Sequence, residues 1–421
     1  MYIRRDGGKY TWERFFGDCA GGMIAALIAL PYGLSMAALM GLPPILGVVT
    51  SILTAPITAL LGRNPVLIGG TASATVPFIH DAVKAQGIGG AAKVSIVASV
   101  LMMAFCVLRL GRFVAKVPTS VVAGFSAGIG GIMLISQLHV LAGVRTPAGD
   151  NSLMQLFGFL GEIMGLRLAP LVLGGCVMVV AAVVAKWSPR LPSPLLGVGL
   201  STLFAMVFRF HEPEVGSLHL SLPTFVGFAW TPQDMTTVLP AGFGLAFAVS
   251  VYLLLTSRAL EHFRGRHKAL KRTDADAELG AYGIANLCAG VFGAPMSVGI
   301  PARSVANVRC GGTTRVSNVM HGLFLFLLVQ LGSGALAHIP LAALGGVTAW
   351  MGICLLDVSA WRRLHKMRPV DATAFLVTAI GVLVVNAAAA VLAGCLAYAA
   401  QWFYRKYFRP ASAMPEIAPE T

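Results

Sequence analysis

Arg303 is the residue of this chain with the most chemistry to account for. It stands in Val298 to Val308, Val-Gly-Ile-Pro-Ala-Arg-Ser-Val-Ala-Asn-Val, where a glycine and a proline precede a short apolar helix. The surrounding sequence belongs inside a bilayer, and an ionisable group there marks an ion or substrate site, because its burial is costly. The competing fates are snorkelling to the membrane surface and pairing with backbone carbonyls. A second stretch, Gly69-Gly70-Thr71-Ala72-Ser73, opens another short apolar segment. A helix N-terminus carries unsatisfied N–H donors and roughly half a positive charge, so it attracts anions without any side chain. Two facing N-termini plus Arg303 make an anion-attracting centre. Thr71, Ser73 and Ser304 add hydroxyls, and Gly69, Gly70 and Gly299 let backbone approach closely. Each hydroxyl could equally bond to the preceding helical turn.

The elements that must position these residues are apolar segments bounded by Gly, Pro and charge. They fall at about 16–40, 43–62, 71–82, 92–110, 118–141, 167–186, 193–209, 240–259, 278–294, 303–313, 316–336, 340–357, 371–384 and 387–404. A helix over 71–82 is about 18 Å long at 1.5 Å per residue, and one over 303–313 is shorter still, so neither crosses a core of about 30 Å. Each is the third segment of a seven-segment half. Paired short, Gly/Pro-interrupted segments point to an inverted-repeat transporter, with the two half-helix starts meeting near the midplane from opposite sides.

The predicted fold is therefore an all-α integral membrane protein of about fourteen transmembrane segments. Residues 1–15 are expected as a cytoplasmic N-terminus, 16–210 as the first repeat, 211–239 as an external loop, 240–404 as the second repeat and 405–421 as a cytoplasmic tail. The composition agrees: of 421 residues, 57% are hydrophobic and 11% charged, against about 25% charged in soluble proteins. The net charge of +14 raises nucleic acid as a partner, but its distribution excludes that reading. Of 31 Lys and Arg, 22 lie in six clusters, at 4–14, 109–116, 186–190, 258–272, 362–368 and 405–409, alternating with apolar segments as cytoplasmic loops do. Both termini are thus expected in the cytoplasm of an inner-membrane protein that contacts anionic lipid. The N-terminal apolar stretch runs on to Met40, longer than a signal peptide, and reads as an uncleaved first span.

The seven cysteines are isolated and the nine histidines are scattered singly, so no disulfide framework, metal site or cofactor is expected. No nucleophile and base pair or phosphate loop stands out, so an enzyme is not expected. All seventeen Asp and Glu fall outside the spans or at their edges, with Asp18, Glu261, Asp357 and Asp371 closest. An interior without carboxylates weakens proton or sodium coupling.

The order Pro31-Tyr32-Gly33-Leu34-Ser35-Met36-Ala37-Ala38, Gly41-Leu42-Pro43-Pro44, Gly47, then Ile68-Gly69-Gly70-Thr71-Ala72 resembles the first three helices of the sulfate permease (SulP) family. Glu278-Leu279, Gly283, Asn286, Gly290, Phe292-Gly293, Ala302-Arg303-Ser304-Val305-Ala306-Asn307 and Gly311 to Arg315 are similar to its ninth and tenth helices. Ile339 to Leu344 is similar to the start of its twelfth. The resemblance covers nearly all of residues 14–404. It implies a core domain that holds a small inorganic or carboxylate anion between helices three and ten and slides against a gate domain. The substrate-binding residues it implies, with the third-segment hydroxyl region added, are Tyr32, Met36, Thr71, Ala72, Ser73, Ala302, Arg303 and Ser304.

Three departures from the family pattern carry weight. Ala302 replaces the first serine of a usual Ser-Arg-Ser. Tyr252 stands where many members carry an acid, so Tyr252 and Thr256 read as the remnant of a cation site and transport is expected to be sodium-independent. The usual C-terminal STAS domain is not expected in this sequence, and a homodimer would have to form without it. Sulfate, bicarbonate, chloride and dicarboxylate are not separable here. An anion channel, a non-transporting sensor and, further off, a nucleobase symporter share the architecture.

Overall fold

The computed structural model describes residues 10–111, 118–144, 152–187, 191–216, 229–263, 274–385 and 387–407. Much of the basic clusters at 4–14, 109–116, 258–272 and 405–409, and of the loop expected at 211–239, lies outside the described residues. Helices dominate: α1 (Trp12–Leu39), α2 (Pro44–Leu61), α3 (Val76–Val107), α4 (Thr119–Ala142), α5 (Ser152–Glu162), α6 (Leu168–Trp187) and α7 (Ser193–Val207). They are followed by α8 (Asp234–Phe263), α9 (Ala275–Val291), α10 (Pro301–Arg309), α11 (Val316–Ala337), α12 (Leu341–Leu355), α13 (Val358–Arg363), α14 (Pro369–Val384) and α15 (Ala387–Tyr407).

Local chemistry sets the ends. The Thr11 hydroxyl accepts from the Arg14 N–H to cap α1, Asp274 accepts from Asp276 and Ala277 N–H to cap α9, and prolines open α2, α10 and α14. Among the described residues, eight helical runs are long and apolar enough to cross a bilayer, with α7, α14 and most of α15 shorter but apolar. The chain is a multi-pass membrane protein. The third and fourth sequence segments are two arms of one broken helix, α3, interrupted at Gly87 in a left-handed conformation (φ 65°) that glycine adopts at no steric cost. With α3 counted as two arms, the helices follow the fourteen segments. The additional short α5 and α13 occupy the same connection, after the fifth segment, in both halves.

The departure from an all-helical reading is a two-stranded antiparallel ladder. Strands β1 (Gly69–Thr71) and β2 (Ser297–Gly299) pair Gly69 with Gly299, Gly70 with Val298 and Thr71 with Ser297. The predicted helix over 71–82 therefore begins late, as a 3-10 turn at Ser73–Thr75 leading into α3, and the one over 303–313 begins early, at Pro301. The reason is backbone satisfaction. Inside a bilayer an extended segment is tolerated only when its N–H and C=O groups find partners within the protein, and each strand supplies the other's. Three residues are too few to show a period in the sequence.

Helix packing divides the molecule into two groups. In the first, α3 packs on α8 and α9, α2 on α1, α9 and α11, and α1 on α10 and α11. In the second, α4 packs on α12 and α14, α14 on α15, and α6 on α7 and α12. The groups meet mainly where α1 touches α7 and α12 and where α8 touches α15. Among the described residues, side-chain bonds join helices of the two groups at two places. The Ser35 hydroxyl on α1 donates to the Leu344 carbonyl on α12 at 2.8 Å and also bonds to the Thr348 hydroxyl, while Tyr252 on α8 bonds to Ser126 on α4.

Candidate functional site

The ladder ties together the starts of α3 and α10, and it is braced on every side by buried polar side chains. Asn286 grips β2, its amide donating to the Ser297 carbonyl at 2.9 Å and its Oδ1 accepting from the Ser297 N–H at 2.6 Å. The Thr50 hydroxyl donates to the Pro295 carbonyl at 2.8 Å, just ahead of β2. On the other strand, the Thr71 hydroxyl donates to the Gly47 carbonyl at 2.9 Å. The Ser304 hydroxyl accepts from the Ile68 N–H at 2.9 Å and donates back to Ile300 at 2.7 Å. The structure thus gives Thr71 and Ser304 backbone partners of their own: both hydroxyls hold the ladder in place. Ser304 also bonds to the preceding turn of its helix, the second fate open to it from sequence.

Arg303 is 1% exposed, the largest of the fully buried side chains. Its Nη1 faces Ser51 Oγ at 3.4 Å and the Gly69 carbonyl at 3.5 Å, and its Nε has no protein partner. No carboxylate lies within ion-pair distance of it among the described residues. The guanidinium threads past Gly70, where a Cβ would overlap Nη1. It therefore sits behind the ladder, pairing with carbonyl and hydroxyl as one of the alternatives to direct contact allows, and its charge stays uncompensated. In a low-dielectric interior such a charge projects a strong positive potential.

The open face of the site has a different lining. Pro301 and Ala302 are exposed at the start of α10, Ala72 and Tyr32 are half-buried, and Ser73 and Met36 are buried. Pro301 has no N–H, and Ala302 and Arg303 occupy first-turn positions whose N–H groups an α-helix leaves without an intrahelical partner. Chemically, the arrangement is two helix starts, a hydroxyl-bearing turn and a hidden cation, with no acid beside it: a place for a negative charge.

Tyr252 and Thr256 lie on α8, the helix that packs on β2, on the Ser73–Thr75 turn and on α10. Tyr252 bonds to Ser126 and meets the Phe125 ring edge-on at 5.7 Å, and Thr256 is buried one turn further along α8. Neither brings a carboxylate, and the described residues hold no group of three or more metal-ligating side chains. A cavity of about 350 Å³ lies elsewhere, between the first arm of α3 and the start of α8, lined by Pro77, Phe78, Asp81 and Gln86 among others.

Sequence reasoning missed Ser51 and Asn318 and gave Asn286 and Asn307 no role beyond the motifs they belong to; these four hold Arg303, the ladder and its flanks. Asn307 donates to the Val66 carbonyl at 3.3 Å and Asn318 to the Leu67 carbonyl at 3.3 Å, so both pin the segment that enters β1. The available signal was a polar stripe on α2, Thr50, Thr54 and Thr58 at four-residue spacing beside Ser51, in an otherwise apolar span.

Comparison with known proteins shows the family and the fold. The sequence profile described as the sulfate permease family matches residues 15–378. The bicarbonate transporter BicA of Picosynechococcus is 30% identical over 86% of this chain and 65% of its own length, and the putative sulfate transporter YvdB of Bacillus subtilis is 26% identical over 81% and 65%. The chain thus spans about two thirds of the length of these curated relatives. Among solved structures, the transmembrane domain of a cyanobacterium bicarbonate transporter BicA superposes with a TM-score of 0.80 at 22% identity, covering 92% of this chain and 98% of that one.

Proposed function

The chain belongs to the sulfate permease family, and on that premise we propose that it is a secondary transporter of small anions, drawn from the sulfate, bicarbonate, chloride and dicarboxylate class. The observation that carries the reading is the ladder: it sets the starts of α3 and α10 against each other in front of a buried arginine with no acidic partner among the described residues. The anion rests on the open face made by Ala72, Ser73, Pro301 and Ala302, near Tyr32 and Met36. Donors come from first-turn N–H groups, and Arg303 acts through its potential from behind. The names of the relatives, transporters of bicarbonate and sulfate, support this substrate class.

Transport follows from relative movement of the two helix groups. The group carrying the ladder is the moving core, and the group of α4, α6, α7, α12, α14 and α15 is the gate, so the anion crosses as the core slides. The protein sits in the inner membrane with both termini cytoplasmic, touches anionic lipid there and works without sodium; a homodimer formed through the gate would leave the core free to move. The test is uptake of labelled sulfate, chloride, oxalate and bicarbonate into proteoliposomes. Saturable uptake of at least one supports the reading, and absence of uptake of all four, in vesicles shown to contain folded protein, overturns it.

A further inference from the structure

Anion binding leaves unused the cavity of about 350 Å³ between α3 and the start of α8. Its size falls within the range of small-molecule sites, about 300–1,000 Å³. The sequence builds its long wall as a helical stripe. Pro77, Phe78, Asp81, Ala82, Ala85 and Gln86 are three adjacent pairs set four residues apart, so they share one face of the first arm of α3. Gly90 and Val94, four apart on the second arm, and Val238 and Ala241 on α8 complete the enclosure. Phe78, Val94 and Val238 are buried, so this wall is turned into the protein and away from lipid.

A polar knot fixes the spacing of the walls. Lys93 on the second arm donates to Asp234 on α8 at 2.9 Å and to Gln86 on the first arm at 3.1 Å, and Gln86 donates to the other Asp234 oxygen at 3.1 Å. The two arms, joined through the break at Gly87, and α8 are therefore tied together at one end of the cavity. The lining residues Ala82, Ala85, Gly90 and Ala241 are too small to fill what the knot holds open.

Three of the lining side chains are polar, and two of them are engaged. Gln86 is spent on the knot, and the Thr237 hydroxyl donates to the Gln233 carbonyl at 3.0 Å. Asp81 makes no hydrogen bond or ion pair with the described residues. It is exposed, so a solute can reach it from outside the bundle. His80 and Lys84 lie near it along the arm but do not line the cavity, and His80 Nδ1 is 3.2 Å from the Leu39 carbonyl oxygen. Asp81 is thus the charged member of an otherwise apolar and neutral lining.

From this arrangement we propose that the cavity is a binding site for an organic cation, an amine carried on a compact apolar body. The ammonium group donates to the Asp81 carboxylate, a charge-assisted hydrogen bond, and the body is buried against Phe78, Val94 and Val238. A neutral alcohol of the same shape keeps the burial and loses the charge. A carboxylate of that shape meets Asp81 with a like charge. The site is separate from the ladder, and the inference stands apart from the anion-transporter reading.

The experiment uses the full chain in detergent, with tritiated adamantylamine as the probe. Adamantanol and adamantane carboxylate, the same cage with a neutral and a negative head, are the competitors. The wild type should bind the amine saturably, with the alcohol weaker by about tenfold and the carboxylate weaker again. Asp81→Asn should bind amine and alcohol about equally. Ala82→Trp and Ala241→Trp, which put an indole into the cavity from different walls, should bind neither, with melting curves to show that they fold. If neither folds, a diazirine form of the amine decides on the wild type: label on the peptides that carry Phe78 or Val238 supports the site, and label confined to other peptides overturns it. Absence of saturable binding to the wild type, an amine preference that survives in Asp81→Asn, or undiminished binding in a folded tryptophan variant overturns it as well. Equal binding of amine and alcohol by the wild type does the same, because the cavity then takes any apolar body, a lipid chain included. None of these readouts is anion uptake, so each outcome leaves the transporter reading where it stands.

Discussion

Tyr252 and Ser126 share a hydrogen bond across the boundary between the two helix groups, and Ser35 and Thr348 share another. The bonds are counterparts. Each joins the first helix of one half, α8 or α1, to the fifth segment of the other, α4 or α12. If the groups slide, both must break, so they hold the arrangement described here against its alternatives.

Tyr252→Phe removes one of these bonds and leaves Ser126 with its other acceptor, the Val122 carbonyl at 3.0 Å. A net hydrogen bond contributes about 1 kcal/mol, so the variant should melt slightly earlier in detergent, and Ser35→Ala, which loses its bonds to both Leu344 and Thr348, somewhat earlier still. Combining them should add the two effects, since the bonds share no residue. A melting temperature unchanged in all three variants would show that these contacts do not restrain the core.

Arg303→Ala should insert normally, because removing a buried charge eases insertion, yet bind anion more weakly by about tenfold, equivalent to about 1.4 kcal/mol. Arg303→Lys should recover part of the loss, having the charge without the planar fork. Concentration dependence of labelled-anion uptake reads both, and wild-type affinity in Arg303→Ala would remove the arginine from the site.

Gly70→Ala places a methyl group where Arg303 Nη1 runs. The guanidinium must shift or the ladder must open, at a cost of about 1–3 kcal/mol. Uptake should fall as far as in Arg303→Ala or further, and the double variant with Arg303→Ala should be better folded than Gly70→Ala alone. Melting curves of the three proteins test the order.

Lys93 and Asp234 form a buried pair at 2.9 Å, with side chains 8% and 2% exposed, and Gln86 bonds to both. Replacing Lys93 by Met leaves the carboxylate with only its Gln86 and Thr231 donors and no opposite charge, and should lower the melting temperature. Lys93→Met with Asp234→Leu should regain most of that, because neither charge is then left unpaired. Thermal denaturation of the reconstituted or detergent-held protein checks it.

Uptake should be unchanged when sodium is replaced by potassium or choline at fixed membrane potential. A sodium ion seeks several oxygen ligands and a compensating charge, and the Tyr252 phenol is engaged with Ser126 while Thr256 brings no carboxylate. A several-fold loss on removing sodium would overturn this expectation.

How much of this was legible in the sequence depended on the length of the signal. Spans of twenty residues declare themselves by hydropathy, and the pairing of short third segments in each half was readable because Gly69-Gly70 and Gly299-Ile300-Pro301 interrupt apolar runs. The three-residue strands were not readable, since a pairing between residues this far apart leaves no local trace. Arg303 was visible as an anomaly but not its direction: only the packing of Gly70 and Ser51 decides that it lies behind the ladder. Thr71 and Ser304 were named for an anion, and the fold uses their hydroxyls on Gly47 and Ile68.

The ladder also bears on how the protein is made. Gly69 emerges from the ribosome long before its partner Gly299, so the first half is synthesised with the backbone of β1 lacking the neighbours that will complete it. Until the second half arrives, those N–H and C=O groups must stay hydrated or be lent partners by the insertion machinery. Biogenesis therefore has a late closing step, and a chain cut between its halves should be degraded unless the missing half is co-expressed.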